Sequence, residues 1–576
     1  MLLALALALA LALARASSPA AAPGGRMQAG PNVLLLLSDD AGWGDASPPL
    51  GVSRALTPEL NAMAVSPGAA HFPRSYIGGS VCSPSRASIL TGRSPSRDCV
   101  INVEQFALPA ALKGDTLADL AQSKGYRTAF FGKYHLGSNT DVVNATYCYD
   151  PALTNGTCLP GYVKSSSGPT CCDGRDAHVP ARPPTFFGFD TVMATSQVAP
   201  SSTSNCGCLM TVPGAGVGCN LGHYDGAHTP LGVPGLECDQ YWHTRPGDGV
   251  WAAYEEVSAV DDAAMLVDQL ENFLLSAAQE DRPFVAQVSF HQTHIPYIAP
   301  PEFRALYPGA TRNEQDYWGA TSAMDAQVGR IRRMLLDLNV STNTLVSWSA
   351  DNGPENDAGD HSCDFFVNPG LTGGLQGRKR ALLEGGVRVL GIVEAPWLVA
   401  QANNGAGGPL RLDHFAAGHI DYVPTLMDLI GASRAHSAWP IDGISLVPAL
   451  TGRATTRPTA YPWLSDFPLE SGNATCPAGA ARLPPSAPAN FTTPASQPQV
   501  AWMEGPLKLV ACRNAAPTSS WQFRLFDVDA DPAEANDLFE ARLAVADAMY
   551  VRLAAWLVSV QASRDAETNC AACPAC

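Results

Sequence analysis

The chain has 576 residues, with 36 Lys and Arg against 53 Asp and Glu, a net charge of −17. That length carries a large core and room for a second, smaller unit. The charge excludes nucleic acid or another polyanion held by general attraction, so an enzyme for anionic esters would have to concentrate positive charge locally.

Leu2 to Leu13 is an unbroken Leu/Ala run followed by Ala14-Arg15-Ala16, which reads as a signal peptide over residues 1–16. The run is shorter than the ~20 residues that span a bilayer, and no later segment reads as an integral membrane segment. Sequons at Asn144, Asn155, Asn339, Asn473 and Asn490, together with sixteen cysteines, point to export through an oxidising secretory pathway. The expected destination is extracellular or a lysosome-like compartment.

Asn32 to Ser38 (NVLLLLS) is a short apolar run of the kind buried on both faces of a parallel sheet. Asp39 and Asp40 follow at its carboxyl end, where ligands gather in such sheets. Adjacent carboxylates repel unless a cation joins them, which suggests Ca2+ or Mg2+, although a helix cap beside a solvated neighbour has the same sequence. Val81 to Arg93 (VCSPSRASILTGR) sets Cys82 before a short helix, with Pro84 in the first turn and Arg86 one turn on. An exported cysteine is ordinarily half of a disulfide. Here the helix amino end and Arg86 suggest an anion site with a modifiable side chain at its edge.

Helical spacing covers Thr116 to Lys124, a strand runs from Arg127 to Phe131, and Gly132-Lys133-Tyr134-His135-Leu136-Gly137 follows. Lys133 and His135, two apart on an extended segment, point the same way and can bracket an anion. Residues 138–249 break the alternation. Eight cysteines there, Cys148, Cys158, Cys171, Cys172, Cys206, Cys208, Cys219 and Cys238, indicate a disulfide-stapled insertion, with a zinc site as the alternative. Order resumes with a helix from Tyr254 to Ala277, a strand from Pro283 to Phe290, then His291-Gln292-Thr293-His294. A helix through Met324, Val328, Ile331 and Leu335 leads to a strand over Thr344 to Ser349, closed by Asp351-Asn352-Gly353. Asp-Asn-Gly is a turn by habit, and its oxygens are hard-metal ligands. Beyond Arg453, short strands at 500–503, 507–511 and 523–528 surround a Pro/Ala/Ser loop, and a terminal helix runs from about 537 to 560. These read as an antiparallel sheet with one helix.

Taken together, these motifs resemble the type I, formylglycine-dependent sulfatases, arylsulfatase-like members of the alkaline-phosphatase superfamily. Cys82-x-Pro84-Ser85-Arg86 with Thr91-Gly92-Arg93 is similar to the family signature, and DDAGWGD from Asp39 resembles the family's opening. Lys133-Tyr134-His135 resembles GKWHLG, with Tyr134 in place of Trp. His294 matches an H-x-P block, and Lys379 with Glu384-Gly385-Gly386-Val387-Arg388 matches G-x-K-x4-EGG-x-R, where Arg378 and Arg380 would be solvated or paired. His419 to Gly431 and Asp442 to Gly452 would be framework.

The resemblance implies an α/β fold: a large mixed, mostly parallel sheet sandwiched by helices, with a smaller C-terminal antiparallel sheet plus helix. The domains would be 30–453 (catalytic, with the 138–249 insertion), 454–566 (C-terminal α+β) and 567–576, a tail whose Cys570, Cys573 and Cys576 read as disulfided, with metal capture or an intermolecular bridge as alternatives.

The implied chemistry is hydrolysis of sulfate monoesters to an alcohol and sulfate. A formylglycine-generating enzyme would oxidise Cys82 during maturation. Asp39, Asp40, Asp351, Asn352 and an oxygen of modified Cys82 would hold Ca2+, with Mg2+ possible. Arg86 would hold the aldehyde hydrate, and Lys133, Lys379 and His294 would bind sulfate. One hydroxyl of the hydrate would attack sulfur while an aspartate such as Asp351 takes its proton. His294 or Lys379 would protonate the leaving alcohol, and His135 would deprotonate the second hydroxyl to expel sulfate from residue 82. The substrate would be a sulfated small molecule or glycan, selected by the insertion. Two alternatives are a related phosphodiester or phosphonate ester hydrolase and a non-catalytic binder of sulfated glycans.

Overall fold

The computed structural model describes residues 30–103, 108–136, 183–195, 242–244, 251–253, 262–295, 297–356, 368–403, 407–436, 439–471, 474–513 and 520–566. The signal peptide, nearly all of the insertion with its eight cysteines, the sequons at Asn144, Asn155 and Asn473, and the tail cysteines lie outside those residues.

Eleven strands form one sheet: β1 (Asn32–Ser38), β2 (Ala69–Tyr76), β3 (Arg127–Lys133), β4 (Thr191–Thr195), β5 (Trp242–Thr244), β6 (Trp251–Ala253), β7 (Phe284–Ser289), β8 (Thr344–Ala350), β9 (Arg388–Glu394), β10 (Leu410–Arg411) and β11 (Ala417–Gly418). Their order is β10-β2-β9-β8-β1-β7-β3-β4-β5-β6, with β11 also on β2. The middle strands, β8-β1-β7-β3-β4, are all parallel, whereas β9 is antiparallel to both neighbours.

Every residue of β1 is buried, because the strand alternates between two apolar layers. On one face Val33, Leu35 and Leu37 meet α1 (Cys82–Thr91) and α2 (Leu117–Gln122). On the other, Leu34 and Leu36 meet α3 (Ala263–Gln279) and α4 (Arg312–Asp337). Thr311 and Glu314 start α4 with a reciprocal capping box, and Met324, Val328, Ile331 and Leu335 form the buried stripe that their spacing predicts. The helix α5 (Tyr422–Ile430) completes the first layer through Val423 and Leu426.

A second sheet, order β12-β15-β16-β17, is wholly antiparallel and comprises β12 (Tyr461–Ser465), β15 (Gln499–Glu504), β16 (Leu507–Cys512) and β17 (Gln522–Asp527). A two-strand ribbon, β13 (Glu470–Ser471) with β14 (Ala474–Thr475), lies between β12 and β15 in sequence. One face of the second sheet packs Trp463, Met503, Val510 and Phe526 against Tyr76, Leu382 and Val387 of the large unit. The other receives Met549, Leu553, Trp556 and Val560 of α6 (Leu543–Ala566). A disulfide joins Cys476 to Cys512, tying the Pro/Ala/Ser loop to β16. The mixed, mostly parallel sheet, the helical layers and the smaller antiparallel sheet with its helix are those expected.

Several details differ from the sequence reading. α6 is long and apolar enough to cross a membrane by length and composition, contrary to the expectation that no later segment is. Its apolar face is instead taken up by the second sheet. Strand β12 was absent from the expectation, because Tyr-Pro-Trp-Leu-Ser holds a proline that ordinarily argues against a strand. Pro462 is tolerated because β12 stands at the sheet edge. Other element ends shift by a few residues, and 254–261, expected to begin α3, lie outside the described residues.

Candidate active site

The carboxyl ends of β1 and β8 lie side by side, with Ser38 paired to Ala350. The residues that follow, Asp39-Asp40 and Asp351-Asn352, therefore meet although they are some 310 positions apart in sequence. The Asp40 N–H donates to Asp351 Oδ1 at 3.0 Å, and Asn352 Nδ2 donates to Asp40 Oδ1 at 2.6 Å. Gly353 is required next, since a Cβ there would stand 2.1 Å from the Gly385 carbonyl oxygen.

The helix α1 points its amino end into this junction. Its first turn lacks intrahelical acceptors, so Pro84 loses nothing by having no N–H. Gly92 closes the helix in the left-handed conformation at φ 69°. Cys82 Sγ lies 3.7 Å from Asp39 Oδ1, 3.9 Å from Asp40 Oδ1 and 3.6 Å from Lys133 Nζ. It is buried and is the free cysteine among the described residues. Burial, reinforced by the Asp351 charge, pushes its thiol well up.

Each of the three carboxylates has a basic side chain within 2.7 Å, and Arg86 also approaches Asp39 at 3.5 Å. Lys133 Nζ is 2.7 Å from Asp39, Lys379 Nζ 2.7 Å from Asp40, and Arg86 Nη2 2.7 Å from Asp351. Burial alone would raise Asp39, but Lys133, His294 and Arg86 outweigh it and hold the group at about 2. Burial likewise opposes the charge on Lys133 and Lys379, yet Asp39 and Asp40 respectively keep both raised.

His294 Nε2 lies 3.8 Å from Asp40 Oδ2, and its Nδ1 pairs with the Ile295 carbonyl at 2.6 Å. Burial first, then Lys133, lowers its pKa. His135 is buried at φ 52°, and burial with the charges of Lys133 and Arg86 holds it neutral.

The structure thus gathers Asp39, Asp40, Cys82, Arg86, Lys133, His135, His294, Asp351, Asn352 and Lys379 at one sheet end. Ligand atoms of Asp39, Asp40, Cys82 and His294 fall within 4.8 Å of one another. Asp351 Oδ2, by contrast, is occupied by Arg86, which gives it Nε at 3.1 Å and Nη2 at 2.7 Å. Asn352 Oδ1 is buried without a hydrogen-bond partner. A hard cation fits this oxygen donor set, since it would satisfy that atom and join carboxylates that otherwise repel.

Residues not singled out from sequence complete the surroundings. Glu355 spans Lys379 at 3.2 Å and Arg380, whose charges hold its carboxyl well below the usual range against the opposing effect of burial. Its position four residues after Asp351 was the available signal. Asp262 binds His291 Nδ1 at 2.7 Å and the Gln292 amide at 3.0 Å, while the Gln292 carbonyl accepts the Asp39 N–H at 2.7 Å. The loop carrying His294 is thereby tied to Asp39, and His291 is part of that tie.

His419, read as framework, bridges Ser85 Oγ at 2.9 Å and Ser349 Oγ at 3.0 Å, coupling the α1 helix to β8. Burial lowers it to about 3, so it is a neutral linker. Asp45, the last residue of DDAGWGD, accepts from Gly42, Leu371 and Tyr317 and serves the loop. Burial raises it to about 6. Arg378 donates to the Glu355 and Gly370 carbonyls.

Comparison with known proteins agrees with this geometry. The family model described as Sulfatase matches residues 31–432. Human arylsulfatase A is 27% identical over 455 residues, covering 75% of this chain and 70% of that protein. N-acetylgalactosamine-6-sulfatase of Canis lupus familiaris is 27% identical over 452 residues, 75% of this chain and 68% of its own. The crystal structure of Ps i-CgsB in complex with k-i-k-neocarrahexaose superposes with a TM-score of 0.64 over 92% of this chain and 94% of that one, at 19% identity, a likeness of fold. The chain belongs to the sulfatase family of sulfuric ester hydrolases.

Proposed function

We propose that this protein is an exported sulfatase that hydrolyses sulfate monoesters with residue 82, oxidised from cysteine to formylglycine, as its nucleophile. The observation that carries this reading is the place of Cys82: the amino end of a buried helix, within 4 Å of Asp39, Asp40 and Lys133. Those neighbours leave a thiol poorly disposed to attack an anion. A formylglycine hydrate offers two hydroxyls on one carbon, one to attack sulfur and one to expel sulfate.

Asp39, Asp40, Asp351 and Asn352 would hold Ca2+ or Mg2+. Bound there, the cation would supply charge to draw electrons from the ester oxygens. In the present arrangement three carboxylates balance Lys133, Lys379 and Arg86. A divalent cation makes the site net positive, the local concentration of charge that a chain of net −17 needs for an anionic substrate. Lys133 and Lys379 would turn toward the sulfate oxygens, and Arg86 would keep orienting residue 82. His294, 20% exposed, or Lys379, whose pKa is raised, would protonate the leaving alcohol. His135, neutral and buried, would accept the proton of the second hydroxyl.

The test is mass spectrometry of the tryptic peptide Ser75 to Arg86 from cells that possess formylglycine-generating activity, followed by turnover of an aryl sulfate and an aryl phosphodiester. The expected peptide has lost the thiol sulfur with a pair of hydrogens and gained a single aldehyde oxygen, and the expected preference is for sulfate. An unmodified thiol in such a host would sink the nucleophile assignment. Preferred phosphodiester turnover would move the activity to the related ester hydrolases, and no turnover by modified protein would favour a non-catalytic binder.

A further inference from the structure

Asp262 stands immediately before α3, at the position where an aspartate ordinarily accepts from the N–H groups of the first helical turn. Its side chain makes no such bond. The carboxylate is fully buried and turned instead to the loop 291–294, where Oδ2 lies 2.7 Å from His291 Nδ1 and Oδ1 accepts from Gln292 Nε2 at 3.0 Å. Burying a carboxylate is costly even when donors meet it, and a capping bond would serve the helix better, so the helix alone does not account for this placement.

The loop so held is clamped to the site on its other side. The Gln292 carbonyl accepts the Asp39 N–H at 2.7 Å, and the Thr293 N–H donates to the Asp39 carbonyl at 2.5 Å. The His294 N–H donates back to the His291 carbonyl at 2.8 Å, closing the turn that carries His294. A carboxylate only accepts, so His291 carries its hydrogen on Nδ1, and in the neutral ring Nε2 accepts from the Thr195 hydroxyl at 2.9 Å. Thr195 is in turn the register partner of Lys133 across β3 and β4. The His291 ring is thereby fixed from both sides at the start of the turn.

The same logic distinguishes the two nitrogens of His294. Its Nδ1 lies 2.6 Å from the Ile295 carbonyl, which only accepts, so Nδ1 keeps a hydrogen. Nε2, 3.8 Å from Asp40 Oδ2, is then the atom that takes and gives a proton. A proton donor works only within hydrogen-bond reach of the departing oxygen, and a misplacement of ~1 Å can cost about 100-fold in rate. The position of Nε2 follows from the backbone of 291–294. Lys379, the other group that could donate, lies on a different segment, tied to the Pro354 carbonyl at 3.0 Å.

We propose that Asp262 is a positioning residue for departure of the alcohol: through His291 and Gln292 it holds the loop that brings His294 Nε2 to the ester oxygen. The inference rests on the sulfatase reading and deepens it, making His294 the group that protonates the alcohol. As a hydroxyl oxygen of residue 82 bonds to sulfur, the ester S–O bond breaks and its electron pair passes to the alcohol oxygen. That oxygen takes the Nε2 proton and leaves His294 neutral.

The test compares kcat/KM of the calcium-loaded, formylglycine-bearing protein for phenyl sulfate and 4-nitrophenyl sulfate, because kcat/KM covers cleavage of the ester and not the later expulsion of sulfate. Phenol is about as weak an acid as tyrosine, with a pKa of ~10, so its departure needs the proton, whereas 4-nitrophenolate leaves without it. Asp262→Asn keeps the shape, but its amide N–H must face a donor on His291 or on Gln292. It should lose about 100-fold on phenyl sulfate and less than about threefold on 4-nitrophenyl sulfate. His294→Ala should show the same selective loss, and the double variant should lose no more than His294→Ala alone. Where Asp262→Asn does not fold, His291→Phe, which removes the ring N–H, serves in its place. Equal loss on both esters, or no loss on either, overturns this inference alone. If the wild type with residue 82 oxidised hydrolyses neither ester, the sulfatase reading falls and this inference with it.

Discussion

Several buried clusters of charge lie among the described residues, and two of them differ in kind. One is the candidate active site at the β1 and β8 ends. The other, at the junction of the two sheets, sets Lys508 Nζ 2.8 Å from Glu384 and 3.1 Å from Glu534, with Tyr76 and Arg388 also on Glu384. Lys508, Glu384 and Glu534 are as dry as Asp39 and Asp351. Burial of charge therefore does not mark a catalytic centre.

What separates the clusters is what remains open. At the junction the two carboxylates share one ammonium, and their titrations part. Burial raises Glu534 to about 7, with Glu384 adding to the rise, whereas Lys508 and Arg388 keep Glu384 low against burial. Glu384 is enclosed by donors from both sheets, an arrangement that holds surfaces together. At the β1 and β8 ends, an amide oxygen of Asn352 has no hydrogen-bond partner and a thiol faces carboxylates, an arrangement with room for the proposed cation and modified side chain.

The comparison can be broken at either cluster. Cys82→Ser, which removes the modifiable thiol in a host that oxidises only cysteine, should lower kcat/KM for an aryl sulfate by about 10^4-fold or more. Its melting temperature should stay close to wild type, as a melting curve beside the rate assay would show. Lys508→Met should do the opposite. Leaving two buried carboxylates without their ammonium should cost about 3–5 kcal/mol in denaturant unfolding, while turnover per folded molecule survives. Comparable loss of activity in that folded fraction would erase the distinction.

The smallest effect concerns pH. Glu534 is raised in the folded state from the usual 4.5 to about 7, so folding takes up a proton between those values. Its contribution is complete below about 4.5 and is lost as pH rises through 7. The melting temperature should therefore be a few degrees higher at pH 5 than at pH 8, and Glu534→Gln should flatten that slope. A slope unchanged in the variant would mean that another buried carboxyl, such as Asp325, also raised to about 7, carries it.

Much of the site could be read from sequence because its parts are local motifs. Asp39-Asp40 and Asp351-Asn352 each end an apolar run, and such runs are strands whose carboxyl ends collect ligands. Cys82 and Arg86 sit one helical turn apart. Glu355 and Asp262 escaped notice, and His419 was read only as framework, because each acts through a partner distant in sequence: Glu355 meets Lys379 and Arg380, Asp262 meets His291, and His419 joins Ser85 to Ser349. Gln499 shows the limit most clearly. Nothing near it in the chain indicates that its amide would hold Arg380 and Phe467 together.

By itself, the sequence determined which residues could do the chemistry and that they stand at element ends, since periodicity, turns and motif spacing are properties of neighbours along the chain. Only the tertiary structure decided which basic side chain answers each carboxylate, that Asp351 faces Arg86, and that the second sheet reaches the rim of the site. Those choices depend on which buried surfaces pack across hundreds of residues. A buried charge or polar group must then find its partner wherever that packing brings one within reach.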